Sequence, residues 1–148
     1  MKMKSIFYEC MQLVRRLGLE DVEFTGKVEV KKRINDMDIM MLTSISEGQP
    51  FAILEGMAAK KPFVTTDVGG CAELLYGRND SFGQAGIVVQ VMDIEKIAKA
   101  AVRLAGNENM RKTMGENGFN RVSALYTFEK CVERYKNIYE SFEESRAA

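Results

Sequence analysis

Apolar positions recur at helical spacing early in the chain. Ile6, Cys10, Leu13, Val14 and Leu17 fall on one side of a helix over residues 5–17, and Gly18 stops it. Val22-Glu23-Phe24-Thr25 alternates like a short strand that Gly26 ends. Val30 and Ile34 share one face of a short helix within 28–35. Residues 38–43 are apolar on both faces, the pattern of a buried parallel strand. A helix over 50–59 follows, with Pro50 near its first turn, and then a strand over 63–66 with Pro62 at its edge. Gly69-Gly70 reads as a tight turn, 72–75 as a short helix, and 77–86 as a loop rich in Gly, Asn, Asp and Ser. Residues 87–89 suit another buried strand. The remainder is helical over 94–104, 109–125 and 127–142, with Thr127 as a fair N-cap of the last helix.

Strands alternating with helices across short loops predict an α/β fold: a Rossmann-like parallel sheet with flanking helices and a helical C-terminus. Neither an internal repeat nor a linker divides the sequence, so residues 1–148 read as a single domain. The last helix carries an apolar stripe, Phe128, Val132, Tyr135, Ile138, Tyr139 and Phe142, most of which is expected to pack on this domain. Met37, Met40, Met41 and Met57 read as core filling. Lys60-Lys61 suit the C-terminal dipole of the helix before them.

On such sheets ligands bind beyond the carboxyl ends of the strands. Glu47-Gly48 follows one predicted strand and Asp67-Val68-Gly69-Gly70 follows the next, so both loops open on the same edge. Glu47 and Glu55 are separated by seven residues, with a Gly, a Pro and a helix start between them. The helix start aims backbone N–H groups at one small volume, which suits an anion. Neutral donors flanked by two carboxylates suit a ligand that has both phosphate and hydroxyl groups, such as a sugar nucleotide.

Composition narrows this reading. Lys and Arg balance Asp and Glu at formal net charge zero, which argues against a general nucleic-acid binder. The three cysteines are odd in number and show no metal spacing, and His is absent, so reduced thiols and catalysis by carboxylates, Lys or backbone groups are expected. Asp36-Met37-Asp38 has the look of a metal-binding Asp-x-Asp, but one loop Asp and one strand-start Asp explain it. No metal is expected. With no signal peptide and no apolar run near the roughly 20 residues of a membrane span, the chain reads as soluble and cytoplasmic.

Four ordered elements carry a resemblance. They are Ser44-Ile45-Ser46-Glu47-Gly48, Glu55-Gly56-Met57-Ala58, Pro62-Phe63-Val64, and Asp67-Val68-Gly69-Gly70 with Glu73. Together they resemble the C-terminal, donor-binding half of family-4 retaining glycosyltransferases of the GT-B type. The likeness spans about 14–142 and is densest over 38–77. Ser46-Glu47-Gly48-Gln49-Pro50 and the loop from Gly77 to Val89 look closer to the PelF-like subgroup, whose enzymes serve exopolysaccharide synthesis.

The resemblance implies a nucleotide-sugar donor, UDP-glucose, and no cofactor or metal. By position, Glu55 would bind the ribose hydroxyls, and Glu47 would act as the catalytic carboxylate near the anomeric carbon. The backbone at Gly48, Gln49, Phe51, Ala52, Gly69 and Gly70 would line the donor. Two departures stand out: Gly48-Gln49-Pro50-Phe51 replaces the usual Gly-Phe-Gly, and Gly56 replaces a helix Ala. The Arg…Lys pair that clamps the diphosphate and the N-terminal acceptor domain both lie outside this sequence. The implied role is thus a truncated donor domain of a longer hexosyltransferase, inactive alone. Two alternatives stay open: a non-catalytic α/β binding module, and a fragment of a GT-B-type sugar-nucleotide epimerase.

Overall fold

The strand Phe63–Thr66 (β2) is buried along its whole length and sits between two parallel neighbours, Met40–Leu42 (β1) and Gly86–Val89 (β3). Its side chains alternate between two apolar layers, as the period of two requires. Phe63 enters a cluster with Ile53, Met57, Cys71, Leu74 and Leu75, whereas Val64 joins Val89, Ala100 and Leu104 on the other face. The computed structural model describes residues 2–147, in two compact units: one up to Val30, the other from Lys31 on.

In the first unit, helix α1 (Lys2–Arg16) stops where expected. Gly18 takes φ 62°, its N–H bonds to Arg15 O, and the Leu19 N–H reaches back to Val14 O. This paired arrangement satisfies the last carbonyls of the helix. Residues 22–25 are not a strand, contrary to their alternating pattern. A strand exists only with a ladder partner, and the described sheet takes none of its three strands from this segment. Instead Phe24 meets the Phe7 ring edge-on, with centroids 5.4 Å apart.

The second unit holds the sheet, in the order β1-β2-β3. The short helix expected within 28–35 is present as α2 (Val30–Arg33), which runs on into a 3₁₀ turn, Ile34–Asp36. β1 is shorter than expected and lies at an edge of the described sheet. Met41 is consequently 50% exposed rather than buried. Helices α3 (Phe51–Ala58), α4 (Cys71–Tyr76), α5 (Ile94–Ala105) and α6 (Glu108–Leu125) flank the strands. Asp93 caps α5 by accepting from Lys96 N, and Asn107 caps α6 by accepting from Met110 N. α3 ends with Lys60 in the left-handed region, φ 58°, and the Lys61 N–H bonded to Gly56 O. The Lys60 side chain pairs with Glu116, and the Lys61 side chain donates to Asn35 O.

Gly56 explains how closely α3 approaches the sheet. A Cβ built there would lie 2.2 Å from Phe63 Cε2 and 2.7 Å from Met40 Sδ. The glycine costs about 1 kcal/mol of helix propensity and gains close packing.

Arg121 on α6 is fully buried. Nε and Nη2 donate to Asp80 Oδ2 at 2.9 Å and Oδ1 at 2.8 Å, Nη2 also donates to Gly83 O, and Nη1 donates to Leu74 O and Leu75 O. Every donor of the guanidinium is therefore used. The Arg121 side-chain hydrogen bonds hold the Asp80 carboxyl below its usual value against the opposing effect of burial, and the Phe82 N–H assists.

The last helix, α7 (Phe128–Ala147), differs from expectation. Of its apolar stripe only Val132 is half-buried. Phe128, Tyr135, Ile138, Tyr139 and Phe142 are exposed rather than packed. Among the described residues no helix is long and apolar enough to cross a membrane.

Two predictions follow from this packing. Gly56→Ala raises helix propensity yet lowers stability, by about 1–3 kcal/mol from overpacking, as chemical denaturation will read. Asp80→Asn leaves the fully buried Arg121 charge without its counter-charge and costs about 3–5 kcal/mol at neutral pH. Because the Asp80 carboxyl is depressed, its contribution is full above the ordinary value of about 3.9 and fades as pH falls below it through the folded value. The stability gap between wild type and Asp80→Asn is thus constant from pH 7 to about 5 and shrinks below about 4.

Candidate functional site

The parallel ladder between β1 and β2 ends at Leu42 paired with Thr65. At that last pair and just beyond it, side-chain hydroxyls continue the attachment. Thr65 Oγ1 donates to Leu42 O at 2.9 Å, and Thr66 Oγ1 donates to Ser44 O at 2.5 Å. Ser44 Oγ in turn donates to Glu47 Oε1 at 2.6 Å. Glu47 is half-buried on the loop between β1 and α3.

The next residue, Gly48, is tied to the loop after β2: the Gly70 N–H donates to Gly48 O at 2.7 Å. Gly69 makes room for this latch. It has φ 52°, and a Cβ there would meet Glu47 O at 2.1 Å. Only glycine satisfies both the backbone angle and the contact. The Asp67 N–H bonds to Val89 O, so the second loop is in turn fixed to β3.

Pro50 ends the first loop as the N-cap of α3, with extended backbone and no side-chain cap. The Ile53 N–H returns to Pro50 O at 3.1 Å. The N–H groups of Phe51 and Ala52, at the first two helical positions, have no carbonyl to reach inside the helix. They open at the same strand ends as Glu47, with the positive pole of the helix behind them. Phe51 is 77% exposed and Ala52 half-buried. Glu55 lies one turn further along, on the solvent face that Phe51 begins, while Ile53, Gly56 and Met57 fill the core.

The structure thus brings Glu47, Gly48, Gly69 and Gly70 into one backbone-linked unit, with Gln49 exposed at its rim. Glu55 stands apart from that unit on α3. A cavity of about 520 Å³ adjoins the helix start, lined by Gln49, Phe51 and Leu54 and by Tyr126, Phe128 and Tyr135 from the α6–α7 corner. Burial, and to a lesser degree Glu73, pushes the Tyr126 phenol up. Among the described residues no three His, Cys, Asp or Glu side chains gather as metal ligands would.

Ser44, Thr66, Asp80 and Arg121 were not assigned roles by sequence reasoning. For the threonines a signal existed. Two hydroxyls in an otherwise buried strand must find acceptors, and the acceptors nearest the end of a parallel ladder are the carbonyls of its neighbour. Asp80 and Arg121 are 41 residues apart and gave no local signal.

The parallel sheet, its flanking helices and its helical C-terminus match the C-terminal half of GT-B glycosyltransferases. Sucrose-phosphate synthase from Thermosynechococcus elongatus superposes with a TM-score of 0.79 at 22% identity, over 93% of this chain and 34% of that one. Anabaena HepE, solved in complex with UDP, superposes with a TM-score of 0.78 at 22% identity, over 95% and 37% of the two chains. In sequence, N-acetyl-alpha-D-glucosaminyl L-malate synthase of Bacillus anthracis is 33% identical over 135 residues, which is 90% of this chain and 34% of that protein. Residues 7–107 match the model of the glycosyl transferases group 1 family, and the chain belongs to that family. It spans about a third of the length of the curated relatives it matches.

The latch itself is testable. Gly69→Ala forces a left-handed residue against the Glu47 carbonyl and is expected to cost about 1–3 kcal/mol. Thermal unfolding measures the loss. Amide shifts of residues 44–49 report whether the loop moves with it.

Proposed function

We propose that this chain is the nucleotide-sugar-binding part of a family-4 retaining glycosyltransferase with UDP-glucose as donor. The observation that carries the reading is the open first turn of α3, set between the latched Glu47 loop and Glu55. A helix start with free N–H groups suits a diphosphate both in the bound donor and as leaving group, when charge builds on it. Glu55, exposed one turn on, accepts hydrogen bonds from the ribose hydroxyls. Glu47, held on its loop, faces the donor sugar and stabilises positive charge near the anomeric carbon. Gln49, Phe51 and Ala52 supply backbone N–H groups to the sugar and diphosphate, and Pro50 only shapes the turn.

In this reading the acceptor is bound by a domain outside the sequence, attacks on the same face from which the diphosphate departs, and receives a hexosyl group without a metal. The complexes of HepE with UDP and with UDP-glucose support a uridine donor by analogy of fold. The exposed stripe of α7 suits contact with that second domain. A cytoplasmic enzyme of exopolysaccharide synthesis, PelF-like in its Glu47 loop, is the corresponding biological role. The chain alone binds donor weakly and transfers nothing.

Calorimetric titration with UDP, UDP-glucose and ADP tests this. Saturable UDP binding is expected, weaker for ADP. Loss of a hydrogen-bonded carboxylate in Glu55→Ala weakens UDP by about tenfold or more. UDP affinity untouched by Glu55→Ala counts against the ribose assignment.

A further inference from the structure

Glu47 sits in a loop held at both ends. We infer that Ser44 and Thr66 are positioning residues for the Glu47 carboxylate, acting in series from the sheet to the donor sugar. This rests on the reading of Glu47 as the carboxylate that faces that sugar.

The first link is Thr66. It is 1% exposed, at the end of the central strand, and its hydroxyl bonds Ser44 O at 2.5 Å. The β1–β2 ladder has already stopped at Leu42. Thr66 therefore carries the register of the sheet two residues into the loop, to Ser44. Without it the backbone at Ser44 would answer only to the loop.

The second link is Ser44. Its hydroxyl has one proton, and it goes to Glu47 Oε1 at 2.6 Å, a length typical of a charge-assisted bond. The Gly70 N–H on Gly48 O then fixes the chain on the far side of Glu47. With Oε1 engaged, Oε2 remains for a ligand hydroxyl. A glutamate on a loop otherwise samples many rotamers and loses them on binding. The relay removes that freedom before the donor arrives. Binding groups held by their neighbours in this way give sharper recognition than groups left to themselves.

The relay acts on the sugar and not on the nucleotide. That separates it from a merely structural role, because collapse of the loop would also disturb the helix start and weaken UDP. The test is calorimetric titration of the intact protein with UDP and with UDP-glucose, UDP-galactose and UDP-N-acetylglucosamine. The quantity read is how much more tightly the best of the three binds than UDP alone.

Ser44→Ala is expected to cut that preference by roughly five- to tenfold, with UDP affinity unchanged. Ser44→Thr, which keeps the hydroxyl, restores it. Thr66→Val lowers it in the same direction. In a Glu47→Gln background Ser44→Ala has little further effect, since the two residues act as one unit.

Three results overturn the inference. One is an undiminished sugar preference in Ser44→Ala. Another is an equal loss for UDP and for the sugar nucleotide. The third is a wild type that binds none of the three more tightly than UDP. The first and third leave the donor-domain reading standing if UDP binding still depends on Glu55. A wild type that does not bind UDP at all rejects that reading, and the relay with it.

Discussion

A guanidinium buried without water is tolerable only if every N–H finds an acceptor and its charge finds a counter-charge. Arg121 meets both conditions, and much of the second unit is arranged so that it can. Its partners come from the last turn of α4, from the Asp80 turn and from Gly83 just before β3. Arg121 thus fixes the far end of α4. The near end of the same helix begins at Gly70, whose N–H holds the Glu47 loop. α4 is six residues long and would not persist alone. Anchored at both ends, it becomes a strut between a buried charge in the core and the loop that carries the candidate carboxylate.

The central strand provides the second fixed reference. β2 is apolar for its first half and ends in Thr65 and Thr66, both buried. Its apolar half binds it into two core layers. Its hydroxyls reach across to the neighbour where backbone pairing runs out. The loop after β1 is thereby steered by the best-packed element in the fold, although few of its own residues are buried. This is how an exposed segment acquires a defined shape.

Much of this was legible in the sequence, because it depends on residues close together along the chain. The spacing of Glu47, Gly48 and Pro50, the Gly69-Gly70 pair and the alternation of strand and helix each reflect local requirements of turn or period. They located the sheet, the edge at which the two loops meet and the helix start. Gly56 in place of alanine was visible in the sequence as a departure, and the structure gives its reason, a close approach to Phe63. The failures are of one kind. Val22-Glu23-Phe24-Thr25 has a strand's pattern but no partner strand in the described sheet. The stripe of α7 has a core helix's pattern but no core beneath most of it. Pattern reports what a segment can do, and pairing is decided elsewhere. Asp80 and Arg121 were invisible for the same reason, since a charged residue in a loop and another in a helix look like ordinary surface until the fold brings them together.

The bond between Gly70 and Gly48 is made of backbone atoms at both ends. Apart from the glycine it requires at position 69, it places little demand on the side chains around it. Ile45 and Phe51 are 74% and 77% exposed, and Gln49 is exposed as well. These positions are free to vary in size, charge and polarity while the loop keeps its path. An architecture that fixes the main chain and leaves the lining open is well suited to divergence. Side chains at these positions can be exchanged without redesigning the frame that presents them.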